Sequence, residues 1–125
     1  MRALNPATVA KPASNYVQAV EVISGRRLLI SGQVGVLPDG TIVAGYEAQA
    51  EQIWVNILAL LEAADMGVSN LVAIRVYDVA PGNVAIYRAI RDRVLGGHLV
   101  AATYVIVAGL ASPQLLTEIE AEAVA

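Results

Sequence analysis

Residues 46 to 66 constrain the fold most, because their apolar side chains recur with the period of an α-helix. The apolar positions are 46, 50, 53, 54, 57, 60, 61 and 64, and Gly67 follows as the expected C-cap. A second, shorter helix is expected from about residue 83 to residue 94, ended by Gly96 and Gly97. Its expected buried residues are Val84, Tyr87, Ile90 and Val94. Each helix has a single apolar stripe, which must be buried against another element.

Four segments are predicted to be strands by composition or alternation, namely 16–23, 27–32, 71–79 and 98–107. Ser24 and Gly25 separate the first two segments, which can therefore pair as a hairpin. Alternation in 71–79 places Arg75 and Tyr77 on one face and the intervening valines and isoleucine on the other. The segment 98–107, HLVAATYVIV, has no charged residue and is expected to be covered on both faces.

The C-terminal segment 115–125 is ambiguous. It is rich in helix formers, yet its three glutamates alternate strictly with apolar residues from Glu118 to Ala123. Alternation of that kind is typical of a strand with one apolar face, and we favour the strand.

These elements predict an α+β fold, in which a mixed sheet carries two helices on one face. The order is two strands, a helix, a strand, a helix and two strands, with no repeat or linker, and we expect one domain over residues 1–125. The opposite sheet face then still needs a cover. Because 57% of the residues are hydrophobic and only 15% are charged, we expect part of that apolar surface to meet another subunit.

Composition excludes several classes of function. The chain has no cysteine and one histidine, so disulfides, thiolate chemistry and a zinc site are not expected, nor is any other metal or cofactor. Neither a secretory leader nor a membrane span is recognisable, which predicts a soluble cytoplasmic protein.

Charge argues against nucleic-acid binding. Eight basic and eleven acidic residues leave little positive field for a phosphate backbone. Arg88, Arg91 and Arg93 are close in sequence, but Arg88 and Asp92 have the spacing of an ordinary solvated helix pair.

Several stretches together resemble the YjgF/RidA (Rid) family over about residues 15 to 124. They are NYVQAVEV, ISGQVGVLPDG, AQAEQIWVNILALLEAADMG and EIEAEAV, in the family's order and spacing. The resemblance implies a chorismate-mutase-like α+β fold and a homotrimer whose sheets line a central barrel, with the helices outside. It also implies a pocket for a small metabolite in each cleft between subunits.

The resemblance implies an activity as well, and a departure from it. The best-known reaction of the family is hydrolysis of enamines and imines, such as 2-aminoacrylate, to 2-keto acids and ammonia. An arginine early in the penultimate strand, in a pattern close to PAR-S/T-x-V-E-V, holds the substrate carboxylate by a bidentate contact. This chain has VAATYVIV there, so the arginine position falls at Ala102, and GLASPQLLTEIEAEAV resembles the subgroups that lack it.

Other family positions carry over residue by residue. Tyr16 matches an aromatic pocket residue, and Ser31, Gly32 and Gln33 match a turn whose backbone approaches the ligand. Tyr104 stands where the family often has a cysteine, and Glu118 matches a glutamate that positions a water molecule.

Each of these residues also has a structural interpretation. Tyr16 can be a core tyrosine, and Gly32 can mark a bulge or close packing. Tyr104 can simply fill the volume left by the missing arginine, and Glu118 can belong to a solvated face. His98 is interpreted as a rim or capping residue rather than a base.

Two main functions follow. In the first, the protein is a trimeric binding protein for a small metabolite and is not an efficient 2-imino acid deaminase. In the second, it hydrolyses a different imine or enamine, with Glu118 activating water and Tyr104 or a backbone N–H near Gly32 replacing part of the clamp. An endoribonuclease is the least favoured alternative, and whether Arg75 or an arginine of the second helix replaces the missing one stays open.

Overall fold

The computed structural model of the chain describes residues 1–9 and 11–125. Its helices are α1, Tyr46–Ala63, and α2, Val84–Leu95. Its strands are β1, Arg2–Leu4; β2, Ala19–Glu21; β3, Arg27–Val34; β4, Leu71–Asp78; β5, Ala101–Ile106; and β6, Thr117–Val124. A short 3-10 turn, Val68–Asn70, precedes β4.

The main sheet has the strand order β3-β6-β4-β5. Strands β4 and β5 run parallel, as a crossover through α2 requires, whereas β6 is antiparallel to both of its neighbours. The last segment of the chain is therefore a central strand, and the preference for a strand over a helix is confirmed. The predicted α+β class with a mixed sheet is confirmed as well.

The core lies between one face of this sheet and the two helices. Its sheet side is built from alternate residues such as Ile74, Val76, Ile119 and Ala121, because alternate side chains of a strand share one face. Its helix side includes Ile53, Trp54, Ile57 and Leu61 from α1 and Tyr87 and Ile90 from α2. The single apolar stripe of each helix is thus buried as its spacing predicts. Val84 and Val94 of α2 are only half-buried.

The predicted hairpin between the first two strand segments is wrong. Strand β2 pairs antiparallel with β1 in a separate two-stranded sheet, and β3 pairs with β6. The chain between them turns away at Gly25, and Arg26 exchanges backbone hydrogen bonds of 2.7 and 3.0 Å with Ala125. Pairing with the long alternating strand β6 extends the apolar core face, which a local hairpin with the short β2 does not do.

The predicted end of α1 is also wrong. The helix ends at Ala63, and Asp65 takes the left-handed conformation, with φ of 53°, before Gly67 is reached. Aspartate tolerates this conformation better than most residues, so it ends the helix earlier than the glycine would. In α2 the prediction holds, because Gly96 at φ 56° is the C-cap.

Strand β5 is an edge strand and not one covered on both faces. Val105 and Ile106 are 39% and 46% exposed, and beyond a single parallel bridge from Val17 to Ala101 the outer backbone edge of the strand has no partner within the described residues. A run of uncharged residues therefore marks an edge that is open in the single chain.

The sheet face opposite the helices is partly polar. Leu29 is 67% exposed on it, and Arg75 lies 3.4 Å from Glu122 and 3.7 Å from Glu120. Tyr77 donates a hydrogen bond of 2.6 Å to Glu120, which raises the pKa of the tyrosine. No helix of residues 1–9 and 11–125 is long and apolar enough to cross a membrane.

A glycine lets β3 and its following loop approach α1 closely. A Cβ at Gly35 would lie 2.6 Å from the Cα of Gln49, whose buried side chain hydrogen-bonds Val43, Gln114 and Leu116. Because a backbone atom is in the way, we expect Gly35→Ala to lower the free energy of unfolding by about 1–3 kcal/mol. Denaturant titration checks this, with Gly67→Ala as the control because its Cβ would meet nothing within 4 Å. Equal losses in the two variants would contradict the steric explanation.

Candidate functional site

A cavity of about 240 Å³ opens between α2 and the edge strand β5. The segment preceding β2 closes its third side, and a backbone hydrogen bond of 2.9 Å from Val17 to Val100 fixes that segment to β5. The lining residues are Ala13, Ser14, Tyr16, Val84, Tyr87, Arg88, Arg91, Ala102, Thr103 and Tyr104. Three of the residues singled out in the sequence, Tyr16, Ala102 and Tyr104, therefore lie in one cavity.

One face of α2 forms the basic wall of this cavity. Val84, Tyr87, Arg88 and Arg91 follow the i, i+3, i+4, i+7 spacing of a single helix face. Arg88 is exposed and makes no hydrogen bond or ion pair with any described residue. It does not pair with Asp92 as its spacing suggested.

Arg91, unlike Arg88, is buried and paired. Its side chain is buried, its guanidinium carbon lies 5.5 Å from the centre of the Tyr87 ring, and its Nε donates a hydrogen bond of 2.9 Å to Asp92. The Nη2 atom is equally close to Asp92 but forms no hydrogen bond. The remaining oxygen of Asp92 accepts a hydrogen bond from Asn15. Burial raises the pKa of Tyr87 to about 12, and the positive charge of Arg91 opposes part of that shift.

Tyr104 is held rigidly in the strand wall. Its ring stacks on Tyr87 with centroids 5.4 Å apart, and its hydroxyl donates a hydrogen bond of 2.5 Å to Oδ2 of the buried Asp78. Tyr46 donates to the same oxygen at 2.7 Å. Burial raises the pKa of Tyr104, and the bond to Asp78 and its charge add to the shift. The hydroxyl proton is thus engaged by Asp78 and is not available to another acceptor.

A second cluster lies elsewhere, on the sheet face away from the helices. Ser31 and Gly32 occupy an irregularity where the pairing of β3 with β6 shifts between Ile30 and Gln33. A Cβ at Gly32 would lie 1.9 Å from a carboxylate oxygen of Glu118, so any other residue here would displace that carboxylate. Gln33 donates a hydrogen bond of 3.0 Å to the carbonyl of Ser31.

The two clusters do not meet within one chain. Tyr104 is level with Val76 and Ile119 across the sheet and shares their helix-facing side, whereas Glu118 is level with Tyr77 and points to the other face. A site that uses both Tyr104 and Glu118 needs a second chain.

Arg75 and His98 are both engaged. Arg75 borders a neighbouring cavity of about 270 Å³ that shares Tyr16 and Ala102, but its guanidinium is paired with Glu120 and Glu122. A ring nitrogen of His98 lies 2.7 Å from the carbonyl oxygen of Leu71. The residues 1–9 and 11–125 contain no cluster of three acidic or histidine side chains that could hold a metal ion.

Comparison with known proteins decides the family. The profile of the family described as Endoribonuclease L-PSP matches residues 7–125. The chain belongs to this family, YjgF/RidA. The Rid-family protein YyfB from Yersinia pestis superposes with a TM-score of 0.90 at 35% identity, covering 99% of this chain and 98% of that one. The YjgF/RidA α+β fold expected from the sequence is thereby confirmed.

Two further relatives, one a solved structure and one a sequence, are also similar to this chain. E. coli TdcF, solved with bound serine, has a TM-score of 0.75 at 26% identity, and the match covers 100% of this chain and 99% of TdcF. A RutC family protein of Aquifex aeolicus is 38% identical over 78 residues, which is 62% of this chain. The match spans 61% of the length of the Aquifex protein.

Resemblance to the YjgF/RidA pattern pointed to the strand wall of the cavity but not to its helix wall. The spacing of Arg88 and Asp92 suggested a solvated helix pair, and whether an arginine of this helix replaces the missing one stayed open. The i, i+3, i+4, i+7 spacing of Val84, Tyr87, Arg88 and Arg91 was the available signal, since it puts both cations on the face that also carries apolar residues.

Proposed function

We propose that this Rid-family chain binds a small metabolite in the cavity between α2 and β5, at each subunit interface of a homotrimer, and that it is not an efficient 2-imino acid deaminase. The carrying observation is that Ala102, in the position that the resemblance gives to the family arginine, lines the cavity. The methyl side chain offers no cation from the strand wall. The bound serine in TdcF supports a small metabolite as the type of ligand.

The position of Glu118 supports the trimer. Because it lies on the sheet face opposite Ala102 and Tyr104, these residues meet only if one subunit presents its Glu118 face to the cavity of another. The open edge of β5 and the 67% exposed Leu29 leave both surfaces available for such contact.

The assembly is testable by mass. We expect light scattering at micromolar concentration to give three times the 13.1 kDa of one chain. Burial of the uncovered sheet face and of the open β5 edge is the physical reason. A mass near that of one chain would contradict the proposed interface site.

A second function, hydrolysis of a different imine, is favoured by the contact between Gly32 and Glu118. The missing Cβ brings the Glu118 carboxylate against the backbone of β3, where it can hold a water molecule beside a ligand. Hydrolysis rates measured on uncharged imines, with 2-imino acids for comparison, separate the two functions, because only the second predicts acceleration on an imine that lacks the carboxylate.

The family description also names an endoribonuclease, which the cavity does not favour. His98, the only histidine, is engaged by a backbone carbonyl and lies outside the cavity lining. Without a free imidazole, general base catalysis on a ribose hydroxyl has no obvious group in the cavity.

A further inference from the structure

The charges that line the cavity are all of one sign. Arg88 and Arg91 are the ionised residues among the described lining residues, which include no aspartate or glutamate. Arg91 is already paired with Asp92 behind the cavity, whereas Arg88 has no acidic partner among the described residues. An unpaired cation at the wall of a partly enclosed cavity attracts anions, and the field is strengthened where protein replaces water.

The floor beneath Arg88 adds buried polar groups with unused hydrogen-bonding capacity. The Tyr87 hydroxyl forms no hydrogen bond with a described residue, and Arg91 Nη2 has only the ion pair with Asp92 at 2.9 Å. Both side chains line the cavity on the same helix face as Arg88. Buried polar groups with spare hydrogen-bonding capacity at a cavity wall can contact a polar ligand.

Apart from the hydroxyl side chains of Ser14 and Thr103, the other walls are apolar or aromatic. Ala13, Val84 and Ala102 are small, while Tyr16 and Tyr104 present rings. Because the proton of Tyr104 is committed to Asp78, this wall offers no free phenol proton to an anion. A volume of about 240 Å³ suits a compact ligand whose single charged group lies at the helix wall.

We infer that Arg88, with Arg91 behind it, binds the carboxylate of a small organic acid whose planar or apolar body lies against Tyr16, Ala102 and Tyr104. This inference rests on the proposed binding function of the cavity. The carboxylate is then bound by the α2 wall and not by the β5 wall, where Ala102 offers no cation. One free guanidinium matches one carboxylate through two parallel hydrogen bonds, and the apolar walls disfavour inorganic phosphate.

Calorimetric titration of the full chain tests the inference. The probes are benzoate, the uncharged benzamide of the same shape, and inorganic phosphate. We expect benzoate to bind at least about tenfold more tightly than benzamide or phosphate, and Arg88→Gln to weaken benzoate binding about 10- to 100-fold while benzamide is unchanged. Arg88→Lys keeps the positive charge but loses the planar guanidinium and its bidentate contact. Its affinity for benzoate should therefore lie between those of the wild type and Arg88→Gln.

The matched control is Arg93→Gln. Arg93 is on the same helix but pairs with Glu51 and lies outside the cavity lining, so its loss changes the net charge equally without changing the site. Equal weakening by Arg93→Gln would overturn the inference in favour of a general charge effect. Tighter binding of phosphate than benzoate would overturn the choice of a carboxylate.

Failure of the inference is distinguishable from failure of the proposed function. If benzoate and benzamide bind equally and Arg88→Gln changes neither, the cavity still binds small molecules but the anion assignment is wrong. If benzoate, pyruvate and 2-oxobutanoate all fail to bind up to about 10 mM, the inference is overturned, while the mass and the imine hydrolysis rate test the proposed function separately.

Discussion

The wild-type protein is expected to accelerate hydrolysis of 2-aminoacrylate at least about 30-fold less than a Rid protein that carries the strand arginine. A charge-assisted bidentate contact to a carboxylate contributes about 2–4 kcal/mol, which corresponds to roughly 30- to 1000-fold. At Ala102 this contact is absent from the strand wall, and the neighbouring Tyr104 hydroxyl donates its hydrogen bond to Asp78. The measurement is ammonia or 2-keto acid release from imines generated in situ, with both proteins assayed side by side.

Arg88 does not restore that contact in the expected outcome, because it approaches the cavity from the helix. A carboxylate bound there places the imine carbon in a different orientation, so binding and turnover separate. A rate equal to that of the arginine-bearing relative would show that another cation supplies the clamp. Repeating the assay with Arg88→Gln would then tell whether that cation is Arg88.

The secondary structure was largely predictable because its patterns are local. The period of α1, the glycine stop of α2 and the alternation around Glu118 each depend on neighbouring residues, and each predicted the correct element type. The pairing of strands was not local. Ser24 and Gly25 are good turn residues, yet β3 pairs with β6, nearly a hundred positions away in sequence, because only that partner extends the core face.

Part of the candidate site could be predicted from the sequence, and the part that could not depends on contacts between residues distant in sequence. Family resemblance drew attention to Tyr16, Ala102 and Tyr104, and the structure brings these three into one cavity. The resemblance gave no signal for Asp78, a buried carboxylate at the end of an apolar strand. Its role is visible only in the structure, where Tyr46 and Tyr104 both donate a hydrogen bond to the same oxygen. Likewise, the unpaired state of Arg88 depends on Asp92 turning to Arg91 and Asn15.

Ala102→Arg combined with Tyr104→Cys is expected to produce detectable 2-imino acid hydrolysis, and neither single variant is. Residues 102 and 104 project to the same side of β5 and both line the cavity, so the pair places on one wall both residue types that the resemblance gives for these positions. In Ala102→Arg alone, the new guanidinium meets a Tyr104 ring that is fixed by Tyr87 and Asp78 and cannot easily move aside.

Two controls separate chemistry from folding. Tyr104→Cys alone removes one of the two tyrosine donors of Asp78 and leaves Tyr46, so its stability reports the cost of that loss. Glu118→Gln in the double variant should abolish the gained activity without changing the mass of the assembly, because it removes the carboxylate proposed to hold water. All rates are to be compared at equal concentrations of correctly assembled protein.

The outcomes discriminate between causes. Equal activity of Ala102→Arg and the double variant would refute the proposed obstruction by Tyr104. Inactivity of a folded double variant would mean that the missing arginine is not the main departure from the deaminating members, and the basic α2 wall becomes the next cause to test. Like charges at Arg88 and Arg91 would then turn the new guanidinium away, since cations that share a cavity repel each other. Adding Arg88→Gln to the double variant removes one of those cations, and activity gained at that step would identify the helix wall as the obstacle.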